Sequence, residues 1–266
     1  MTASYLQLLR APNPGPMTLD GTNTWLVGSP DGGPVVVIDP GPLIPEHLNG
    51  IIAASPAGIG AVLLTHRHLD HAESAAELAG RASCGVRSAD PALRLGPDGL
   101  DDGDQIVVAG GRLTAVPTPG HTSDSVSLLL SGDDGVVRLL TGDMVLGRGT
   151  TVITHPDGDL AAYLDSLDRL RTLVADRAVV EILPGHGPVI PNPTEWLTYY
   201  YKHRMERLDQ VRSARAAGAR TPAEVVARVY ADVDRIVWPA AEQSVRAQLD
   251  YLDALERSED SGGTHR

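Results

Sequence analysis

Three imidazoles and a carboxylate fall within six residues, His66-Arg67-His68-Leu69-Asp70-His71, directly after the apolar run at residues 61–65. Nothing else in the chain limits its fold as tightly. The apolar run reads as a strand, and several histidines at one strand end are tolerated beside a core only when a shared ligand satisfies them. Two more imidazoles, Gly120-His121 and Gly185-His186, sit in glycine-flanked turns after apolar runs, and Asp143 follows Gly142 in the same way. Glycine beside a donor lets the backbone turn sharply and approach closely, freeing the side chain to point into a common site. His66, His68, Asp70, His71, His121, Asp143 and His186 are together more donors than one four-coordinate ion can use, which predicts two metal ions. Nitrogen and oxygen donors without thiolate suit Zn²⁺ best, Fe or Mn next, and Ca²⁺ or Mg²⁺ poorly. Two such ions ~3.5–4 Å apart hold a hydroxide between them near neutral pH and polarise an electrophilic oxygen, so the expected reaction is a hydrolysis.

The rest of the chain divides by texture. Short apolar runs closed by Gly, Pro or Asp at residues 24–28, 35–39, 61–65, 106–109, 113–117, 126–130, 136–141 and 179–183 read as strands, with a hairpin turn at Gly132-Asp133-Asp134-Gly135. Residues 72–82 and 160–174 read as surface helices. The irregular alternation of strands and helices predicts a layered α/β sandwich rather than a barrel. From Thr194 onward the period becomes helical: Leu197, Tyr201, Met205, Leu208 and Val211 form one apolar stripe, and Thr221-Pro222-Ala223-Glu224 is a capping box. A further helix is expected over 239–256. The predicted organisation is a catalytic domain over 1–193, a small helical domain over 194–257 and a disordered tail over 258–266.

Composition removes several alternatives. The net charge of −12 argues against non-specific attraction to DNA or to an anionic membrane. Residues 200–257 hold ten basic and nine acidic side chains, so the excess negative charge lies almost wholly before them. Lys202 is the only lysine, which excludes a P-loop and the serine β-lactamase motif, since it precedes His203 and has Tyr199 three residues earlier. No Gly-x-Ser-x-Gly elbow is present. The single Cys84 cannot form an internal disulfide and fits a reducing compartment, so a cytoplasmic location is expected. No apolar run approaches ~18 residues, so no membrane-spanning segment is predicted.

The T-H-x-H-x-D-H run, Pro119-Gly120-His121-Thr122, Gly142-Asp143 and Pro184-Gly185-His186-Gly187 resemble the metallo-β-lactamase superfamily, which implies a four-layer αβ/βα fold. More narrowly, N-P-G-P-M-T-L-x-G-T-N-T at 13–24, L-G-x-G-T-T-V at 146–152 and Y-x-x-H-R-x-x-R at 200–207 resemble the β-lactamase-like protein 2 subfamily, whose best-known members are endoribonucleases. The resemblance implies His66, His68 and His121 on one metal, Asp70, His71 and His186 on the other, and Asp143 bridging. Asp70 is either a ligand or a catalytic proton donor to the leaving group. It also implies a winged-helix-like C-terminal domain, although the helical pattern here gives way to a polar tail where related endoribonucleases continue into a wing. Single-stranded RNA is the leading substrate by this resemblance. A small ester, thioester or lactam is the alternative, and a non-catalytic metal-binding scaffold is the alternative of another kind.

Several residues around the cluster are open to two readings. Asp39, closing the run at 35–39, either orients a ligand imidazole or only forms a turn before Pro40-Gly41. Tyr200, His203, Arg204 and Arg207 share one sector of a helix beside its apolar stripe, with Arg204 nearly on the buried side. They either bind substrate or tie the domains together. A buried Arg204 needs an anionic partner, for which Asp39 or the Asp101-Asp102 loop is expected, or else a substrate phosphate. Asn23 either borders the cleft or only belongs to a strand. A long arginine-lined channel would favour RNA, and a short closed pocket a small acyl substrate.

Overall fold

The structure is a computed structural model that describes residues 5–29 and 32–262. Two five-stranded sheets face each other. The first runs β1 (Leu6–Arg10), β2 (Asn23–Val27), β3 (Val35–Ile38), β4 (Ile59–Leu63), β5 (Gly85–Arg87) in spatial order. The second runs β10 (Glu181–Pro184), β9 (Val137–Gly142), β8 (Val126–Gly132), β7 (Gly111–Pro117), β6 (Gln105–Val108). Strands buried on both faces explain the continuous apolar runs. In β3, Val36 and Ile38 enter the cluster between the sheets while Val35 and Val37 enter the outer one. In β8, Leu128 and Leu130 point between the sheets and Leu129 points outward.

Three apolar clusters thus define four layers. Helices α1 (Pro45–Ala53) and α3 (Ala75–Ala82) cover the first sheet with Leu48, Ile51, Leu78 and Ala79. Helices α4 (Leu160–Asp176) and α5 (Pro193–Ala216) cover the second with Leu167, Leu170, Leu197 and Leu208. Packed on α5 and α4, helices α6 (Pro222–Val229) and α7 (Trp238–Gly262) complete the same cluster through Val225, Val226 and Val245. The Thr221 capping box forms as expected, with its hydroxyl accepting from the Glu224 amide and Glu224 accepting from the Thr221 amide. No helix among the described residues is long and apolar enough to cross a membrane.

Four local expectations change. Strands β1 and β5 and helix α1 are additional to the runs anticipated from sequence. The helix expected over 72–82 is divided at Glu73-Ser74 into α2 (Leu69–Ala72) and α3, where the buried Ser74 hydroxyl donates to Gly41 O at 2.9 Å. The buried side of α5 is centred on Tyr200 and Arg204, with Tyr201 and Met205 only partly covered, because the second sheet's loops as well as α4 pack on it. Finally, α7 continues to Gly262, so residues 258–262 are helical where a disordered tail is expected. The polar Ser258, Glu259 and Asp260 do not interrupt a helix already propagating from Trp238. Residues 263–266 lie outside the described residues.

Candidate metal centre

Strands β7, β9 and β10 run in one direction in their sheet and β3, β4 and β5 in one direction in theirs. Their C-terminal ends meet at one rim. His66, His68, Asp70 and His71 follow β4, His121 follows β7, Asp143 follows β9 and His186 follows β10. Backbone bonds join the sheets there: Val126 N donates to Thr65 O at 2.8 Å and Asn23 N to Gly185 O at 2.8 Å. Glycine is required at two of the turns. A Cβ on Gly185 would lie 2.6 Å from Asp143 Oδ1 and 2.8 Å from His71 Cε1, and one on Gly142 would lie 2.4 Å from Thr65 Oγ1.

All seven predicted donors converge. One group is His66, His68 and His121, a second is Asp70, His71 and His186, and Asp143 joins His66 and His71 in a third. His68 Nδ1 is 3.1 Å from both His66 Nε2 and His121 Nε2, and His71 Nε2 is 3.2 Å from His186 Nε2. Nitrogens on a tetrahedral ion at ~2.0–2.1 Å lie roughly 3.3 Å apart, so these spacings fit such an ion. Asp143 lies between the groups, with Oδ1 3.4 Å from His71 Nε2 and Oδ2 3.4 Å from His186 Nε2. Its buried Oδ1 has no hydrogen-bond partner, an arrangement that a cation would complete.

The imidazoles are oriented from behind. His71 Nδ1 lies 2.9 Å from Asp39 Oδ2, and a carboxylate can only accept, so Nδ1 carries the proton and Nε2 faces the centre. The Thr65 hydroxyl donates to the same Oδ2 at 2.6 Å, leaving its oxygen to accept from His66 Nδ1 at 3.1 Å. Asp39 therefore fixes two ligand rings, one directly and one through Thr65. The turn reading holds as well, since its φ is 51°. His121 Nδ1 donates to Val152 O at 2.6 Å and His186 Nδ1 to Gly21 O at 3.2 Å.

Electrostatics separate the two groups. Burial keeps His66 well below the ordinary histidine range, pushes His121 down to about 4 and lowers His68, so these rings are neutral and offer lone pairs at pH 7. Burial would also depress His71 and His186. The Asp143 and Asp70 carboxylates, joined at His71 by Asp39, outweigh it, holding His71 well above its usual value and His186 up at about 9. Burial acts to raise Asp143 and Asp70, yet His186 and His71 hold Asp143 far below the carboxylate range, and His71 and His186 lower Asp70. This corner holds positive charge, as protons or as a metal ion.

Of the remaining predicted residues, Asn23 and Tyr200 hold loops of the centre in place, while His203, Arg204 and Arg207 line a cleft beside it. Asn23 is buried and donates to Pro184 O at 3.0 Å and Gly187 O at 2.8 Å, clamping the loop that carries His186. The buried Tyr200 hydroxyl accepts from Leu146 N at 2.8 Å, tying α5 to the loop after Asp143. Arg204 is 3% exposed, as its wheel position predicts, but its partner is no carboxylate: it donates to Thr151 O and its guanidinium lies 4.8 Å from the Tyr163 ring centroid. Asp39 is committed to Thr65 and His71, and Asp102 pairs with Arg169 at 2.6 Å. Arg207 donates to Val229 O at 2.8 Å and stacks over Tyr230 at 4.3 Å. His203, Arg204 and Arg207 line a cleft of about 350 Å³ that reaches His121 and Asp143.

One residue with a structural part to play carries no distinguishing sequence signal beyond its place in the motif. Arg67, between two ligands, pairs with Asp124 at 3.1 Å and Asp157 at 3.2 Å and donates to Ser123 Oγ at 3.2 Å, locking the first ligand loop to the one following His121.

Two facing sheets flanked by helices, with a divided His/Asp centre at the C-terminal strand ends, define a class of metal-dependent hydrolases. The chain belongs to the metallo-beta-lactamase superfamily: that family's model matches residues 17–186, and the beta-lactamase associated winged helix domain matches residues 221–263. Among the described residues of the latter span there is no strand, so no wing hairpin is formed. A "Beta-lactamase-like protein 2 homolog" of Caenorhabditis elegans is 34% identical, covering 90% of this chain and 81% of that protein. An "Atrochrysone carboxyl ACP thioesterase" of Aspergillus fumigatus is 34% identical, covering 82% and 71% respectively. A metallo-beta-lactamase family protein of Thermus thermophilus shares the fold, with a TM-score of 0.79 at 21% identity over 96% of this chain and 95% of that one.

Proposed function

We propose that the protein is a dinuclear metal hydrolase, with zinc the best-suited ion and Fe or Mn compatible with the same donors, that cleaves a small ester or thioester. The observation that carries the substrate reading is the cleft. It encloses about 350 Å³, and Met17, Leu19, Leu146, Val152, Val233 and Val237 line much of it. Its rim arginine, Arg148, is paired with Asp20 at 3.1 Å, and the other two, Arg204 and Arg207, are stacked on Tyr163 and Tyr230, so the cleft offers two cations rather than a continuous run of them. A single RNA strand is gripped by a continuous run of free cations and stacking rings, whereas an apolar pocket with a few convergent polar groups suits a small acyl compound. The likeness to a thioesterase supports the same choice.

When bound, the ions would acidify water and polarise the acyl carbonyl. The protein's own work is to hold rings and protons. Asp39 and the Val152 and Gly21 carbonyls keep the Nδ1 protons of His71, His121 and His186 pointed away from the centre. The apolar cleft wall excludes water from the acyl chain. Asp70, with 29% of its side chain exposed, is the most accessible carboxylate of the centre, and its Oδ2 is 3.1 Å from His186 Nε2. Since it is ionised at neutral pH, it can donate to a leaving group only after taking up a proton, so Oδ2 would first accept one from the attacking water.

A panel assay of zinc-loaded protein against an acyl thioester, a chromogenic lactam and single-stranded RNA tests this, with elemental analysis alongside. Thioester turnover and close to two ions per chain are expected. RNA cleavage with an inert thioester, or less than one ion per chain after growth in ample zinc, would overturn it.

A further inference from the structure

Arg204 and Arg207 stand out in a chain whose net charge is −12. Most of the other buried or half-buried arginines have a carboxylate, Arg67 with Asp124, Arg87 with Asp104, Arg138 with Glu181 and Arg215 with Asp253, while Arg94 donates to the Ser88 and Ala89 carbonyls. Among the described residues neither Arg204 nor Arg207 has a carboxylate partner. Arg204 Nε is buried without any hydrogen-bond partner, although the side chain lines the cleft. Arg207 uses only Nη1, for Gln210 Oε1 at 2.8 Å and the Val229 carbonyl. One residue before Arg204 on α5, His203 also lines the cleft and has a buried, unpartnered Nδ1. A guanidinium taken out of water with no anion beside it is strongly penalised, and stacking on Tyr163 and Tyr230 recovers only part of that.

We infer that the part of the cleft lined by His203, Arg204 and Arg207 is an oxyanion-binding subsite, so that the substrate carries a carboxylate or phosphate in addition to its scissile acyl bond. The guanidinium of Arg204 is fixed by Thr151 and Tyr163, and that of Arg207 by Val229 and Tyr230, so both are held ready before any ligand arrives. The cleft lining combines apolar side chains with arginines: the first would take the chain of the substrate and the second its charged group. Burial first, then Arg204 and Arg207, push His203 down to about 4, which keeps it neutral and able to donate to an oxyanion rather than add a third charge. What carries the anion rests on the small-acyl reading above. The existence of the subsite does not.

The test uses a ladder of α,ω-dicarboxylic acid monothioesters against fatty-acyl thioesters of matching length, with wild type and Arg207→Gln. At the length that spans the cleft, the free carboxylate should raise kcat/KM about ten- to a hundredfold, the span of one or two charge-assisted hydrogen bonds, and Arg207→Gln should abolish that preference, read as the ratio of charged to uncharged substrate within the same variant. Calorimetric titration of the chelated, metal-free protein with the dicarboxylates, with inorganic phosphate and with a single-stranded RNA oligomer reads binding without turnover and separates the sources of the anion. Binding that is lost in Arg207→Gln supports the subsite even if no thioester is cleaved, which would retire only the acyl reading. Thioester turnover indifferent to the distal charge, together with no Arg207-dependent binding of any anion, would overturn the inference. Should Arg207→Gln lose its fold by circular dichroism, Arg207→Lys, which keeps the charge and loses the fork, replaces it and should retain part of the preference.

Discussion

Replacing Asp39 by Asn changes almost no volume but reverses a donor. Oδ1 accepts from the Thr65 amide at 2.8 Å, and that amide cannot move without shifting the end of β4. The Asn carbonyl oxygen must therefore stay there, which puts the NH₂ where Oδ2 now accepts from Thr65 Oγ1 at 2.6 Å and His71 Nδ1 at 2.9 Å. A donor facing Nδ1 favours the other tautomer, with the proton on Nε2, the atom that faces the metal centre. Thr65 must also turn its hydroxyl hydrogen elsewhere, and the nearest acceptor is His66 Nδ1 at 3.1 Å, so His66 is pushed the same way. Restoring each tautomer costs about 1.4–2.8 kcal/mol, equivalent to a ten- to hundredfold loss of metal affinity per ring. Competition against a chromophoric zinc chelator should show both sites of Asp39→Asn weakened, and Thr65→Val, which cuts only the relay, should weaken the site containing His66 more than the other. Affinities within about threefold of wild type at both sites of Asp39→Asn would refute the tautomer argument.

Gly185→Ala should keep the far-ultraviolet dichroism of the fold yet purify with markedly less metal, because its Cβ meets Asp143 and His71; normal metal content would show that the turn relaxes freely. Removing residues 194–266 uncovers the face of α4 and the second sheet on which Leu197, Tyr200 and Leu208 pack, at about 1.5–3 kcal/mol per side chain, so the remaining fragment should be poorly soluble and inactive; a soluble, active fragment would make the helical unit dispensable. For His203, whose folded pKa of about 4 lies below its unfolded value, the unfolded state takes up its proton first as pH falls, so stability is fully present above about 6.5 and is lost between there and about 4. After allowance for its partial exposure this amounts to about 1–2 kcal/mol, and denaturant melts of His203→Gln should lack that component.

The site was legible because its chemistry is dense in sequence: four donors in six residues, and glycines that had to be glycine, announce themselves. The fold was legible where strands are buried on both faces and read as solid apolar runs, as in β3 and β8. The short edge strands β1 and β5 were not, since Leu6–Arg10 mixes exposed and covered positions and Gly85–Arg87 is three residues long. Arg204 shows the limit of a helical wheel. Spacing gave its burial, but its acceptor is a main-chain carbonyl and its neighbour a ring on another helix, and neither has a signature that sequence can display. Asn23 is similar: its clamp closes on carbonyls more than 160 positions away.

Each donor group draws on both sheets. His68 meets His121 across 53 positions of chain, and His71 meets His186 across 115. An ion held by such a group is a reversible cross-link closing a long loop, comparable in kind to a disulfide, and loops of that size restrict an unfolded chain by about 4–5 kcal/mol each in the chain-entropy account. Unlike a disulfide, its strength follows the free-ion concentration by mass action. If both donor groups hold ions, metal supply would govern protease resistance and lifetime as well as turnover: a chain deprived of metal would keep every residue of the sandwich but lose its fasteners along the rim where the sheets meet.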